Sequence, residues 1–188
     1  MQTAAATEPA SGEQPGAALG PPAFDALYDT YFDFVWRSVQ RLGVAPANCD
    51  DAVQDVFIVV HRRLAEFEGR SSVKTWLFGI AIRVASDHRR LLRRKGGHEL
   101  LEDNIADRAA SPMETAANVE AMRTLQQLLE QLDDDRRAVF VLAELEQMTA
   151  PEMSEALGVN LNTVYSRLRA ARQDFEKAVA RFRAKGQQ

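Results

Sequence analysis

A chain of 188 residues, 46% apolar and 27% charged, has room for one ordinary domain or two small helical ones and enough apolar material for real cores. Its formal net charge of −4 excludes a uniformly basic surface, so any contact with nucleic acid must come from locally basic faces. A single cysteine, Cys49, and three scattered histidines, His61, His88 and His98, exclude an intrachain disulfide and give no zinc-ligand spacing, so no metal or other cofactor is expected.

Residues 1–22 are rich in Ala, Pro, Gly, Gln and Glu, with Leu19 as the one large apolar residue after Met1. Such a segment cannot bury a core and reads as a disordered tail. It lacks the charged-then-apolar order of a signal peptide. The apolar runs, Val56 to Val60 among them, are too short to span a bilayer. A cytoplasmic protein without membrane insertion is expected.

The first folded block covers 23–95. Phe24, Leu27, Tyr31, Val35, Val39 and Leu42 recur at helical spacing, and Gly43 follows as a stop. A second helix opens near Asn48, a candidate cap, with Val53, Val56, Phe57 and Val60 on its inner side. After the break Glu68-Gly69-Arg70, Ser71 or Ser72 can cap a third helix that carries Trp76, Leu77, Ile80 and Val84 and ends at Gly96-Gly97. Residues 96–117 lose the periodicity and read as a flexible linker between domains.

The second block covers 118–183, with 184–188 as a short tail. Val119, Met122, Leu125 and Leu129 mark one helix; Val139 to Leu145 mark the next, beyond the acidic corner Asp133-Asp134-Asp135. Thr149-Ala150-Pro151-Glu152 has the order of a capping box with proline in the first turn. A last helix begins after Asn160 and carries Leu161, Val164, Leu168, Ala171 and Phe175 on one stripe. No alternating strand pattern occurs. The expected fold class is all-α, in two small helical domains.

Thr149 to Arg172 has the plan of a helix-turn-helix. Gly158 stands where the tight turn needs positive φ, Leu157 and Val159 flank it, and Val164 supplies the second helix's inward contact. Asn162, Thr163, Tyr165, Ser166 and Arg169 then point outward, with Arg167 and Arg172 to the sides. Such a set combines base-edge hydrogen bonding with phosphate contact. Spacing alone equally fits a plain surface helix after a helical hairpin. The inner position at Ser154 departs from the usual alanine, but serine is small enough to fit.

The first block carries charge of both signs. Lys74, Arg83, Arg89, Arg90, Arg93 and Arg94 make its third helix basic enough to lie along phosphates. Phe67 and Trp76 stand near enough for base stacking, although each also suits the core. On the second helix Asp51, Gln54 and Asp55 share one face at i, i+3 and i+4. That acidic face is unsuited to phosphate and suits a protein partner with a basic surface; helix-dipole complementation accounts for Asp51 better than for Asp55.

The stretches Asp51-Ala-Val-Gln-Asp-Val-Phe57, Phe67-Glu-Gly-Arg-Ser-Ser72 and Lys74-Thr-Trp-Leu77 resemble the second conserved region of ECF (extracytoplasmic-function) sigma factors. Met153-Ser-Glu-Ala-Leu-Gly158 followed by Thr163-Val-Tyr-Ser-Arg-Leu-Arg-Ala-Ala-Arg172 resembles their fourth region. The resemblance covers about 24–182 apart from the linker. It implies a sigma factor that binds core RNA polymerase and directs promoter-specific initiation, with no catalysis of its own. Asp51, Gln54 and Asp55 would dock on the polymerase β′ clamp. Arg70, Ser71, Ser72, Lys74, Trp76, Arg83, Arg89 and Arg90 would read and open the −10 element. Asn162, Thr163, Tyr165, Ser166, Arg167, Arg169 and Arg172 would bind the −35 element, with the same domain touching the β flap. An anti-sigma partner is implied as well.

The family often has asparagine at the place of Arg83, lysine or arginine at that of Tyr165 and glycine at that of Asn162; these departures bear on promoter sequence. A second reading is a stand-alone helix-turn-helix regulator acting without polymerase. An enzyme is disfavoured: no nucleophile–base constellation, phosphate-cradling glycine loop or metal-ligand spacing appears.

Overall fold

The computed structural model describes residues 23–94 and 116–185, and every regular element among them is helical. α1 (Phe24–Arg41), α2 (Cys49–Arg63) and α3 (Val73–Arg94) form one helical domain, each packing on the other two. α4 (Ala116–Leu129), α5 (Asp134–Phe140), α6 (Ala150–Leu157) and α7 (Leu161–Lys185) form the other, with α7 as the long helix that α4, α5 and α6 pack against.

The amphipathic pattern explains each domain. Val35, Val39, Val53, Val56, Val60, Leu77 and Phe78 are buried at helical spacing in the first, and Leu129, Val139, Leu142, Val164, Leu168 and Ala171 in the second. Removing these stripes from water drives the helices together, at about 25 cal/mol per Å² of apolar surface.

Local signals fix most helix ends. Gly43, at φ +89°, turns the chain out of α1. The Ser72 hydroxyl accepts from the Thr75 backbone N–H at 3.0 Å and so is the residue that caps α3. Asp133 caps α5 by accepting from the N–H of Arg136 at 2.9 Å. Asn48 precedes α2 as expected but makes no side-chain cap; it closes a short 3₁₀ turn, Pro46–Asn48, which fixes the entry to α2 instead.

Three boundaries differ from the sequence pattern. α4 begins at Ala116, within the expected linker; residues 96–115 lie outside the described residues, as do 1–22 and the expected helix stop at Gly96-Gly97. The expected continuous helix up to Leu145 is α-helical only to Phe140; Val141–Leu145 then widens into a π turn. Gln147 follows with φ +53°. α7 runs to Lys185, into the expected terminal tail.

The two domains touch. The apolar core is continuous across them, and α6 lies against α3. Gly79 permits that approach: a Cβ there would sit 3.1 Å from the carbonyl oxygen of Ala156.

Candidate nucleic-acid and protein interfaces

The helix-turn-helix is built as its sequence requires. At the start of α6 the Glu152 carboxylate accepts from the backbone N–H of Thr149 at 2.8 Å and from its hydroxyl at 2.7 Å. These two bonds, the backbone one foremost, hold the Glu152 carboxyl below its ordinary value of 4.5. α6 ends at Gly158 in the left-handed conformation, φ +66°. Ser154, the departure from alanine, donates its hydroxyl to the carbonyl of Val159 at 2.5 Å, so the serine ties the turn rather than loosening it. Asn160 then caps α7 by accepting from the N–H of Thr163 at 2.9 Å.

This scaffold turns one polar face of α7 to solvent. Asn162, Tyr165, Ser166 and Arg169 are exposed there and, with Gln173, line a shallow depression. Tyr165 is 58% exposed, far more than a core tyrosine. Thr163 is turned partly inward, its hydroxyl donating to Asn160. The flanking arginines are tied: Arg167 pairs with Asp135 at 2.6 Å and Arg172 with Glu144 at 2.8 Å. Arg169 has no acidic partner among the described residues. It is thus the arginine of this face whose charge is least offset.

On the first domain Asp51, Gln54 and Asp55 are all exposed on α2, beside an apolar groove lined by Tyr28, Val53, Phe57 and Ile58. Asp55 is also bonded to Nε2 of His88 on α3 at 2.8 Å. The indole of Trp36 donates to Asp50 at 3.2 Å and holds the neighbouring acid on the same end of the helix.

The −10 candidates divide. Arg70, Ser72, Arg83 and Arg90 are exposed, with Arg70 paired to Glu68 at 2.9 Å and Arg90 to Asp87 at 3.0 Å. Ser71 is half-buried, and Trp76 is half-buried with its ring 5.0 Å from that of Phe67, so it serves the domain's packing as well as presenting an edge. Lys74 and Arg89 face the other domain: Lys74 pairs with Glu146 at 3.0 Å and Arg89 with Asp134 at 3.2 Å.

Cys49 is buried, and burial, helped by the charge of Asp50, pushes its thiol up to about 12. A thiol so hard to ionise is no nucleophile. No cluster that could hold a metal ion exists among the described residues, and no described helix is long and apolar enough to cross a membrane.

Comparison with known proteins matches the two domains to two family models. Residues 27–95 match Sigma-70 region 2, and residues 122–175 match Sigma-70, region 4. The ECF RNA polymerase sigma factor SigX of Bacillus subtilis is 32% identical over 139 residues, spanning 71% of this chain and 72% of that one. The chain belongs to the ECF RNA polymerase sigma factor family. A second member, SigM of Mycobacterium tuberculosis, is 30% identical over 80% of this chain and 74% of its own length. Among solved structures, CnrH in complex with the cytosolic domain of CnrY aligns over 84% of this chain and 87% of its own, with a TM-score of 0.62 at 24% identity. RpoE of Bartonella quintana in complex with the anti-sigma factor NepR aligns over 84% and 96%, with a TM-score of 0.63 at 18% identity. At those identities the two structures establish a shared helical fold. As a sigma factor, this protein serves promoter-specific initiation with core RNA polymerase, and the reading as a stand-alone regulator is not favoured.

The sequence reading missed the residues between the domains. Glu146, Arg41 and Arg137 carry no motif. Gly79 did carry a signal: a glycine in the middle of an apolar helix marks a close backbone approach.

Proposed function

We propose that the labour of initiation is divided between the domains as follows. The first domain, residues 23–95, docks on the polymerase β′ clamp through Asp51, Gln54 and Asp55, with the apolar groove beside Gln54 extending the contact. It reads and opens the −10 element with the loop Arg70–Ser72 and the basic face of α3, where Lys74, Arg83, Arg89 and Arg90 hold phosphates and Trp76 offers an edge to an unstacked base. The second domain, residues 118–183, lays α7 in the major groove of the −35 element and touches the β flap, and residues 96–117 join the two. Asn162, Tyr165, Ser166 and Arg169 reach base edges; Thr163, Arg167 and Arg172 act at the backbone and the margins.

The observation that carries this reading is the exposed polar face of α7 behind a left-handed turn at Gly158. The protein works in the cytoplasm, where its polymerase is, and supplies binding energy rather than catalysis. An anti-sigma partner fits as well, since two proteins of the same fold are described in complex with CnrY and NepR.

Site-specific crosslinking in the promoter complex tests the division. Photoreactive probes are attached to cysteines placed at Ser71 and at Asn162; the native Cys49, buried and un-ionised, stays unlabelled. The Ser71 probe should capture the non-template strand at −10 and the Asn162 probe the duplex at −35. Crosslinks exchanged between the elements, or made to neither, would refute it.

A further inference from the structure

A hydrogen bond joins the proposed docking helix, α2, to the proposed −10 helix, α3. Nε2 of His88, on α3, lies 2.8 Å from Oδ2 of Asp55, on α2. An ionised carboxylate only accepts, so the imidazole N–H donates. The two side chains differ in setting: that of His88 is 18% exposed and that of Asp55 56%. A largely buried imidazole thus holds an exposed carboxylate from the protein side.

The neighbours of His88 on its own helix are committed elsewhere. Asp87 pairs with Arg90 at 3.0 Å, and Arg89 and Arg93 pair with Asp134 at 3.2 and 3.0 Å. Of the titratable side chains from Asp87 to Arg90, His88 is the one that pairs with α2. Asp55 also stands apart on its helix. Asp50 and Asp51 lie in the first turn of α2, where the helix N-terminus favours negative charge. Asp55 lies beyond that turn, where the dipole no longer helps, and Asp51, four residues before it on the same face, repels it. His88 supplies the favourable contact that the helix end does not.

This bond bears on docking more than on folding. A pair in which one partner is well exposed adds little to stability. At its present exposure Asp55 is still wetted, whereas docking on a basic protein surface would strip that water. A carboxylate leaving water needs its acceptor sites filled. It has about four; His88 fills one on the inner side and leaves the outward ones to an incoming arginine or lysine. The bond also holds the carboxylate in one rotamer before the partner arrives, so less side-chain freedom is lost on binding.

We propose that His88 is a positioning residue for polymerase docking, holding the Asp55 carboxylate in the rotamer that meets a cation of the polymerase. The inference rests on the proposed docking role of Asp55. It gives α3 a second task, one that faces the polymerase rather than DNA.

The test is equilibrium binding of the full-length chain to core RNA polymerase without DNA, which separates docking from any contact of α3 with phosphates. Asp55→Ala should weaken binding roughly tenfold or more. His88→Ala should weaken it roughly three- to tenfold. His88→Gln, whose side-chain amide nitrogen has the reach of Nε2, should recover most of that loss. In the Asp55→Ala background, His88→Ala should cost nothing further, because the carboxylate it positions is gone. Each variant is compared at a temperature where circular dichroism shows it folded. A purely structural histidine would weaken binding in both backgrounds and would not be replaced by glutamine. Binding of His88→Ala within about twofold of the parent, no recovery with glutamine, or an equal loss when Asp55 is already alanine would each overturn the role of His88. Parent-like binding by Asp55→Ala would overturn the docking reading itself, and the proposal with it.

Discussion

Nη1 of Arg137 donates to the carbonyl oxygen of Leu42 across the domain boundary. That carbonyl ends α1 and is left without an intrahelical donor, as the last carbonyls of any helix are. The second domain thus provides part of the C-terminal cap of a helix in the first. Burial draws the guanidinium below its ordinary value, Arg89 adds to this, and Asp134 opposes it. Arg137→Met keeps much of the volume but takes the side-chain donor from the carbonyls of Leu42 and Leu132, while that of Leu129 still accepts from the N–H of Leu132 at 3.1 Å. At about 1–3 kcal/mol for each buried group left unsatisfied, the variant should lose about 2 kcal/mol or more, read as a lower urea midpoint. A midpoint within error of the parent would remove Arg137 from the account of stability.

Gly158→Ala isolates the cost of the turn. Nothing lies within 4 Å of a Cβ at this position, so the whole penalty comes from φ +66°. Alanine should destabilise by about 1 kcal/mol, and asparagine, which tolerates the left-handed region, should recover part of it. Thermal melts of the three proteins check the order.

The stability contributed by Glu152 should depend on pH in a defined direction. Its carboxyl is held below 4.5 in the folded protein by the N–H and hydroxyl of Thr149. A depressed acid stabilises above its unfolded value and loses that contribution as pH falls through the folded value. Glu152→Gln keeps the shape of the capping box and removes the charge, so its deficit, about 0.5 kcal/mol, should be complete at neutral pH. It should shrink steadily below pH 4.5, as the parent also becomes neutral. Paired urea titrations at pH 7 and below pH 4.5 measure the difference.

Arg169 and Arg167 sit two residues apart on α7 and should behave differently on DNA. Arg167 is already paired with Asp135 at 2.6 Å, while Arg169 is exposed without an acidic partner among the described residues. Arg169→Ala should weaken holoenzyme binding to a −35-containing duplex by about 1–3 kcal/mol, and Arg167→Ala by less. Fluorescence anisotropy at fixed salt gives the comparison; the reverse order would reassign the groove-facing side of α7.

Much of this was legible in the sequence, for a physical reason. Helix ends set by local chemistry (Gly43, Ser72, Thr149 with Glu152, Gly158 and Asn160) announce themselves because donor and acceptor lie within a few residues. The exposed faces of α2 and α7 follow from helical periodicity in the same way. Asn48 misled because a 3₁₀ turn before α2 took over the role of its side chain. The π turn after Phe140 was invisible because Val141 to Leu145 keeps an apolar composition in either helix type. The contacts between the domains could not be read, since Arg41 meets Glu146 and Leu42 meets Arg137 only after both domains have folded. Arg137 did leave a faint trace: it shares a helical stripe with Phe140 and Val141, both buried.

An acidic docking face and two DNA-reading domains are the proposed means by which this chain confers promoter selection on core RNA polymerase. The most direct test is transcription by core enzyme reconstituted with the purified chain on fragmented genomic DNA, followed by mapping of the 5′ ends. Start sites should share upstream −10 and −35 elements, be absent with core enzyme alone and be lost with Asp51→Lys although that variant still folds. Start sites no different from those of core enzyme alone, or full activity in Asp51→Lys, would contradict it.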